Sequence, residues 1–117
     1  MPYRINYSPE FLDDLFEIGD YIESQFHDPE AAERVTNGIV DATDILADHP
    51  EAGARVFLPG GLDSGYRFVV FQGYLAVYRI QLGEIYIARA VHEKQDYLRV
   101  LFPWLRREDE DPERRKT

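Results

Sequence analysis

Two short turns divide the segment from Tyr66 to Val91 into three runs rich in β-branched and aromatic residues. The first turn is Gln72-Gly73 and the second contains Gly83. Glycine tolerates the positive φ that tight hairpin turns need, and loops this short join antiparallel neighbours. The segment therefore predicts a three-stranded antiparallel meander over residues 66–91.

Apolar side chains occupy both faces of these predicted strands, as Phe68 and Val69 or Leu75 and Ala76 show. A sheet with one face in water would alternate apolar and polar residues more regularly. We therefore expect a layer on each face of the sheet. The candidates are a helical hairpin on one face, and a C-terminal helix over residues 93–102 or a partner on the other.

The helical hairpin is predicted over residues 9–47, after a short strand that contains Tyr3, Ile5 and Tyr7. Ser8-Pro9-Glu10 and Asp28-Pro29-Glu30 each combine a helix N-cap, a proline at the first helical position and an acid in the first turn. Apolar residues follow each start at helical spacing. Residues 51–65 read as a loop with a short strand near residues 55–58. The residues expected to form the core are Leu15, Ile18, Ile22, Val35, Ile39, Leu46, Phe68, Val70, Leu75 and Val77.

The charge is distributed unevenly along the 117 residues, whose net charge is −9. Residues 1–51 hold thirteen acids against two arginines, whereas residues 52–102 carry a net charge of +2. A chain that bound nucleic acid over its whole surface would show a basic stripe. The acidity suits either a solvated helix face or a basic partner.

The remaining composition narrows the class of protein. The chain has no cysteine, and its three histidines lack ligand-like spacing, so we expect no metal and no cofactor. The sequence shows neither a signal-peptide pattern nor an apolar run long enough for a membrane, which favours a cytoplasmic protein. We expect one α+β domain over residues 1–102, followed by a charged, disordered tail over residues 103–117.

The end of the last predicted strand carries the residues best suited to chemistry. Arg67, Arg79 and Arg89 could clamp a phosphate. His92 could transfer a proton, and Tyr97 could stack on a base or donate a proton. Structural roles compete with this reading. Arg67 and Arg79 could pair with helix acids, His92 could support the final helix, and Tyr97 could belong to the core. Strand alternation also places Arg89 and His92 on different faces unless the strand bends.

The order of elements resembles the RelE/ParE family of bacterial toxins over about residues 3–102. The resemblance rests on PEFLDDLFEIGDYIE, ILADHPEAG, GYRFVVFQGYLAVYRI and IYIARAVHEKQDY. The last segment is the most distinctive, because Arg89, His92, Lys94 and Asp96 occupy the places of the family's recurrent ending. The resemblance implies the toxin of a type II toxin–antitoxin system, associated with plasmid stabilisation and growth arrest. Such a toxin is neutralised in a complex with its cognate antitoxin.

Two branches of this family imply different activities. RelE-like toxins are ribosome-dependent mRNA endoribonucleases, which would make His92, Arg89, Arg67 and Tyr97 catalytic, whereas ParE-like toxins inhibit DNA gyrase without being nucleases. The long helical hairpin and the acidic charge favour the ParE-like branch. We expect an antitoxin to contact Arg67, Arg79, Arg89, Lys94 and Trp104. A third reading is a non-toxic binding module that retains the fold.

Overall fold

The computed structural model describes residues 2–105, which form a five-stranded sheet with a layer on each face. The structure confirms the α+β class, and the tail predicted to be disordered lies, from residue 106 on, outside the described residues. The elements in chain order are β1 (Arg4–Tyr7), α1 (Pro9–Phe26), α2 (Pro29–Ala42), a 3₁₀ helix (Asp44–Ala47), β2 (Ala54–Phe57), β3 (Asp63–Phe71), β4 (Tyr74–Gln81), β5 (Glu84–His92) and α3 (Tyr97–Leu101).

The predicted meander is confirmed as β3, β4 and β5, and two short strands extend it to the order β1-β5-β4-β3-β2. Both hairpin turns hold two residues with positive φ, Gln72-Gly73 at 47° and 84° and Leu82-Gly83 at 51° and 75°. This geometry fits the right-handed twist of the flanking strands. The predicted loop 51–65 is shorter than expected, because β2 pairs with β3 and β3 begins at Asp63. β1, which precedes the two helices, pairs in parallel with β5, the last strand of the chain.

Both helices of the hairpin begin directly after their predicted N-cap residues. Ser8 Oγ accepts the Phe11 N–H at 3.0 Å, and Asp28 Oδ1 accepts the Ala31 N–H at 3.0 Å. The second helix is shorter than predicted, since α2 ends at Ala42 and a 3₁₀ helix follows. Thr43, which is fully buried, donates its hydroxyl to the Val40 carbonyl at 2.6 Å and terminates α2 there.

The main core lies between the helical hairpin and the sheet. Ile22, Val35, Ile39 and Leu46 are buried as predicted, whereas Leu15 and Ile18 are only half-buried at its margin. A second cluster on the other face holds Leu75, Val77 and Val91, with Phe68 half-buried beside it.

The prediction that Val70 belongs to the core is wrong, because its side chain is 52% exposed. Val70 pairs with the buried Leu75 on one side. On the other side β2 runs no further than Ala54, which pairs with Phe68, so no strand shields Val70.

The final helix is shorter than the predicted 93–102, since α3 covers only Tyr97–Leu101. Tyr97, Val100 and Leu101 pack against the second cluster, as expected for a layer on this face. Because α3 has only five residues, it leaves the part of the face next to β1 uncovered. Within residues 2–105, no helix is long and apolar enough to cross a membrane.

Candidate functional site

The uncovered part of the sheet forms a groove of about 520 Å³ beside α3, which we call the sheet groove. Strands β1, β3, β4 and β5 contribute to its lining, together with α3 and the start of α1. Two arginines, one acid and several aromatic groups give it a mixed polar and apolar lining. The lining residues are Asn6, Tyr7, Ser8, Glu10, Tyr66, Arg79, Tyr86, Ile87, Ala88, Arg89, Val100 and Leu101.

Arg89 reaches from this groove to Asp14 on α1 and forms a bidentate ion pair. Its Nε and Nη2 donate to the two carboxylate oxygens at 2.8 and 2.9 Å. The hydrogen bond to Asp14 raises the pKa of Arg89, so the guanidinium stays charged. The Nε–Nη2 edge of Arg89 is therefore occupied by Asp14, and this edge cannot clamp a phosphate unless the ion pair breaks.

Asp14 also completes the hydrogen bonding of β5 where β1 ends. β1 pairs with β5 only as far as Ile87, and Ala88 forms a bulge opposite β4. Beyond that point Ser8 Oγ donates to the Ala88 carbonyl at 2.7 Å, and Asp14 Oδ2 accepts the Ala90 N–H at 2.9 Å. Side chains of α1 thus replace a missing strand partner.

Arg79 is the second cation of the sheet groove. Its guanidinium lies 4.8 Å from the centre of the Tyr86 ring and donates a hydrogen bond to Gln81. No acid of the two helices pairs with it in residues 2–105. Arg79 is therefore positioned by a cation–π contact and remains half-exposed.

Arg67 lies away from the sheet groove and supports the loop before β2. Its Nη1 donates to the carbonyls of Glu51 and Gly53 at 3.2 and 3.0 Å. The fully buried Tyr78 fixes the same loop, because its hydroxyl donates to the Pro50 carbonyl and accepts the Gly53 N–H. Burial raises the pKa of Tyr78, so this hydroxyl keeps its proton.

His92 lies on the other face of the sheet from Arg89. Arg89 pairs with Val77 of the second cluster, whereas His92 pairs with Tyr74, and the Tyr74 and His92 rings meet edge to face at 5.0 Å. His92 Nδ1 accepts the Lys94 N–H at 3.1 Å and thereby organises the turn before α3. The bulge at Ala88 shifts the alternation of side chains between the two faces of β5, but it does not bring Arg89 and His92 to the same face.

The four candidates for catalysis are therefore dispersed. Arg89 lines the sheet groove, Arg67 and His92 do not, and Tyr97 packs against the second cluster. Lys94 and Trp104, predicted to bind a partner, are both exposed outside the groove. Trp104 contacts Phe102 at a ring distance of 5.7 Å.

Sequence reasoning missed Asp14, which is the residue that holds Arg89. The signal lay in its position three residues after Phe11, on the apolar stripe that faces the sheet. An acid on such a stripe is buried with the stripe and needs a partner. The partner is a cation on the adjoining strand.

A second groove, of about 450 Å³, runs between α1 and α2 on the side away from the sheet, and we call it the hairpin groove. Phe16 is 75% exposed here, and Leu12 is also exposed. Asp20, Glu23 and Glu33 are the charged residues of its lining. The charge distribution predicted an acidic helix face, but helical periodicity identifies only the inward stripe and gave no sign of these exposed apolar residues. The remaining lining residues are Leu15, Gly19, Pro29, Ala32, Thr36, Asn37 and Val40.

Comparison with known proteins places the chain in a family. The family model described as "ParE toxin of type II toxin-antitoxin system, parDE" matches residues 5–97. The Sinorhizobium fredii protein named "Putative toxin Y4kP" is 36% identical over 99 residues, which cover 84% of this chain and 96% of that protein.

Two solved structures share the fold. The chromosomal ParDE system of P. aeruginosa has a TM-score of 0.64 at 22% identity, over 77% of this chain and 95% of that one. The RelBE2 toxin–antitoxin complex of Mycobacterium tuberculosis has a TM-score of 0.56 at 20% identity, over 79% and 99% of the two chains. Together with the match over residues 5–97, these findings show that the chain belongs to the ParE toxin family of type II toxin–antitoxin systems.

Proposed function

We propose that this chain acts in the cytoplasm as an inhibitor of DNA gyrase and is held inactive by a cognate antitoxin. The observation that carries the choice of target is the ion pair between Arg89 and Asp14. Arg89 is the catalytic candidate that lines the sheet groove, and Asp14 occupies one edge of its guanidinium. The other three candidates do not line this groove.

Cleavage of RNA by its own 2′-hydroxyl needs a base, an acid and cations around one phosphate. Here His92 Nδ1 accepts a backbone N–H, Arg67 is bonded to loop carbonyls, and Arg89 is paired with a carboxylate. Arg89 lines the sheet groove, Arg67 lines a separate small pocket beside β2, and His92 lines neither. A protein that inhibits its target by binding alone does not need an acid, a base and cations around one phosphate.

The charge of the molecule supports the same choice. Residues 1–51 carry thirteen acids and two arginines, and most of this segment is the helical hairpin on one face of the sheet. A surface this acidic is repelled by the phosphates that surround mRNA in the ribosome. A protein target has no such uniform charge, so the acidity is compatible with it.

The antitoxin is proposed to bind the hairpin groove. Both structural relatives come from toxin–antitoxin systems, and this groove exposes apolar side chains that a free toxin would leave in water. A groove between two helices suits an amphipathic helix, and the acids on its rim suit lysines or arginines beside the apolar face. Arg79, Arg89, Lys94 and Trp104 are proposed as further contacts, whereas Arg67 is occupied by the loop before β2.

Replacing His92 with Ala is expected to leave toxicity intact. The variant loses a ring contact with Tyr74 and an acceptor for Lys94, at a cost of about 1 kcal/mol of stability. Induced expression should still arrest growth, cause filamentation and activate a DNA-damage reporter, while cellular mRNA stays intact. His27→Ala, at an exposed histidine that lines none of the grooves described, serves as the control. Rapid mRNA cleavage by the wild-type chain, abolished in a folded His92→Ala variant, would establish the ribonuclease reading instead.

A further inference from the structure

Leu82 combines a left-handed backbone conformation, which is unfavourable for leucine, with an almost fully exposed apolar side chain, which is unfavourable for solubility. It is the first residue of the β4–β5 turn, with φ at 51°, and its side chain is 93% exposed. Asn, Asp or Gly is preferred at this place, because a Cβ in the left-handed region crowds the backbone. A leucine here presents an apolar side chain at the tip of a rigid hairpin.

A groove of about 720 Å³ lies at the same end of the sheet, on the side of the helical hairpin. Tyr3, Ile45, Pro50 and Ile80 give it an apolar floor, and Ile80 precedes Leu82 by two residues. We call the groove and Leu82 together the basal surface. In this surface Ile45 and Leu82 are large exposed apolar side chains.

Backbone and side-chain hydrogen bonds hold this floor in place. The Tyr3 N–H donates to the Ala47 carbonyl at 2.8 Å, which fixes the start of β1 against the 3₁₀ helix. The Pro50 carbonyl accepts the hydroxyl of buried Tyr78 at 2.7 Å. The surface is thus formed before any partner arrives, which lowers the entropic cost of binding.

The charged residues that line this groove are acidic. Asp48 and Glu51 lie on its rim, beside His49, and the lining contains no lysine or arginine. Charge complementarity therefore favours a partner segment in which lysine or arginine flanks an apolar side chain.

We propose that the basal surface binds the protein target of the toxin through such a basic and apolar segment. This inference rests on the proposed function and adds the surface that carries it. The basal groove shares no lining residue with the hairpin groove proposed for the antitoxin. Target binding and antitoxin binding are therefore separable by substitution.

Leu82→Asn tests the proposal without putting the fold at risk. Asn suits the positive φ, so the thermal midpoint should stay level or rise by about 2–4 °C. With purified gyrase, we expect the concentration for half-inhibition of supercoiling to rise at least about 10-fold, and growth arrest to weaken in step. Copurification with the antitoxin should be unchanged.

Gln72→Asn is the matched control, because Gln72 holds the same turn position in the β3–β4 hairpin with φ at 47°. It should keep full inhibition. Glu51→Lys should weaken inhibition, whereas Asp41→Lys makes the same charge change at an exposed site outside the grooves and should not.

The outcomes separate this inference from the proposed function. Equal potency of Leu82→Asn and the wild type, or an equal loss of antitoxin binding, would overturn the inference. A wild-type chain that arrests growth without inhibiting gyrase would contradict the proposed target, and the growth assay of the same variants would then decide the inference. A wild-type chain inactive in both assays would contradict both.

Discussion

Replacing Asp14 with Ala is expected to lower the free energy of unfolding by about 2–4 kcal/mol, measured by urea denaturation. The carboxylate is nearly buried and accepts two hydrogen bonds from Arg89 and one from the Ala90 N–H. Its removal leaves a half-buried cation without its partner and opens the edge of β5 where β1 has ended.

Asp13→Ala is the control, because Asp13 is the adjacent acid on the same helix and is exposed. Its effect should stay within about 0.5 kcal/mol. Combining Asp14→Ala with Arg89→Met should recover part of the loss, since no charge is then left unpaired. A cost for Asp14→Ala no larger than for Asp13→Ala would show that the ion pair does not hold α1 to β5.

Replacing Phe16 with Glu is expected to weaken antitoxin binding by about 10²-fold while the toxin stays folded. Phe16 is 75% exposed in the free chain, so its loss costs the toxin little, and Glu is a good helix former. In the complex, the variant would remove an aromatic anchor and place a charge in an apolar groove. Titration calorimetry of the purified pair measures the change.

Phe26→Glu provides the matched comparison. Phe26 is also strongly exposed on α1 but lies outside the lining of the hairpin groove. It should bind the antitoxin within a few-fold of the wild type. If the two variants bind equally well, or weaken equally, the hairpin groove is not the antitoxin site.

The local architecture of this chain could be predicted because short-range rules determine it. The caps at Ser8 and Asp28 mark the starts of both helices, and the glycines at 73 and 83 mark both hairpins. The parallel pairing of β1 with β5 depends on residues about 80 positions apart, which no local pattern specifies. The error at Val70 has a similar cause, since exposure there depends on where β2 stops.

The candidate site was harder to predict for a related reason. Residue types suited to phosphate chemistry are present in the sequence, but their use depends on long-range contacts. Arg89 is paired with Asp14, 75 residues away, and Arg67 is bonded to a loop that follows α2. Strand alternation did predict that Arg89 and His92 face different ways, and the pairing of β5 with β4 confirms it.

The exposed apolar residues of the hairpin groove and of the β4–β5 turn could not be predicted, although the charge distribution did indicate an acidic helix face. Periodicity identifies the side of a helix that faces the core, so Phe16 and Leu12 on the outer side of α1 carried no signal. Leu82 is visible in the sequence only as a residue before a glycine. Its significance comes from the positive φ and the exposure that the folded turn gives it.

The most direct test of the central claim is a supercoiling assay with purified gyrase and the purified wild-type chain, run beside cleavage of mRNA on programmed ribosomes. We expect dose-dependent loss of supercoiling that added antitoxin reverses, together with intact mRNA. Ribosome-dependent cleavage of the mRNA with gyrase unaffected would contradict the account.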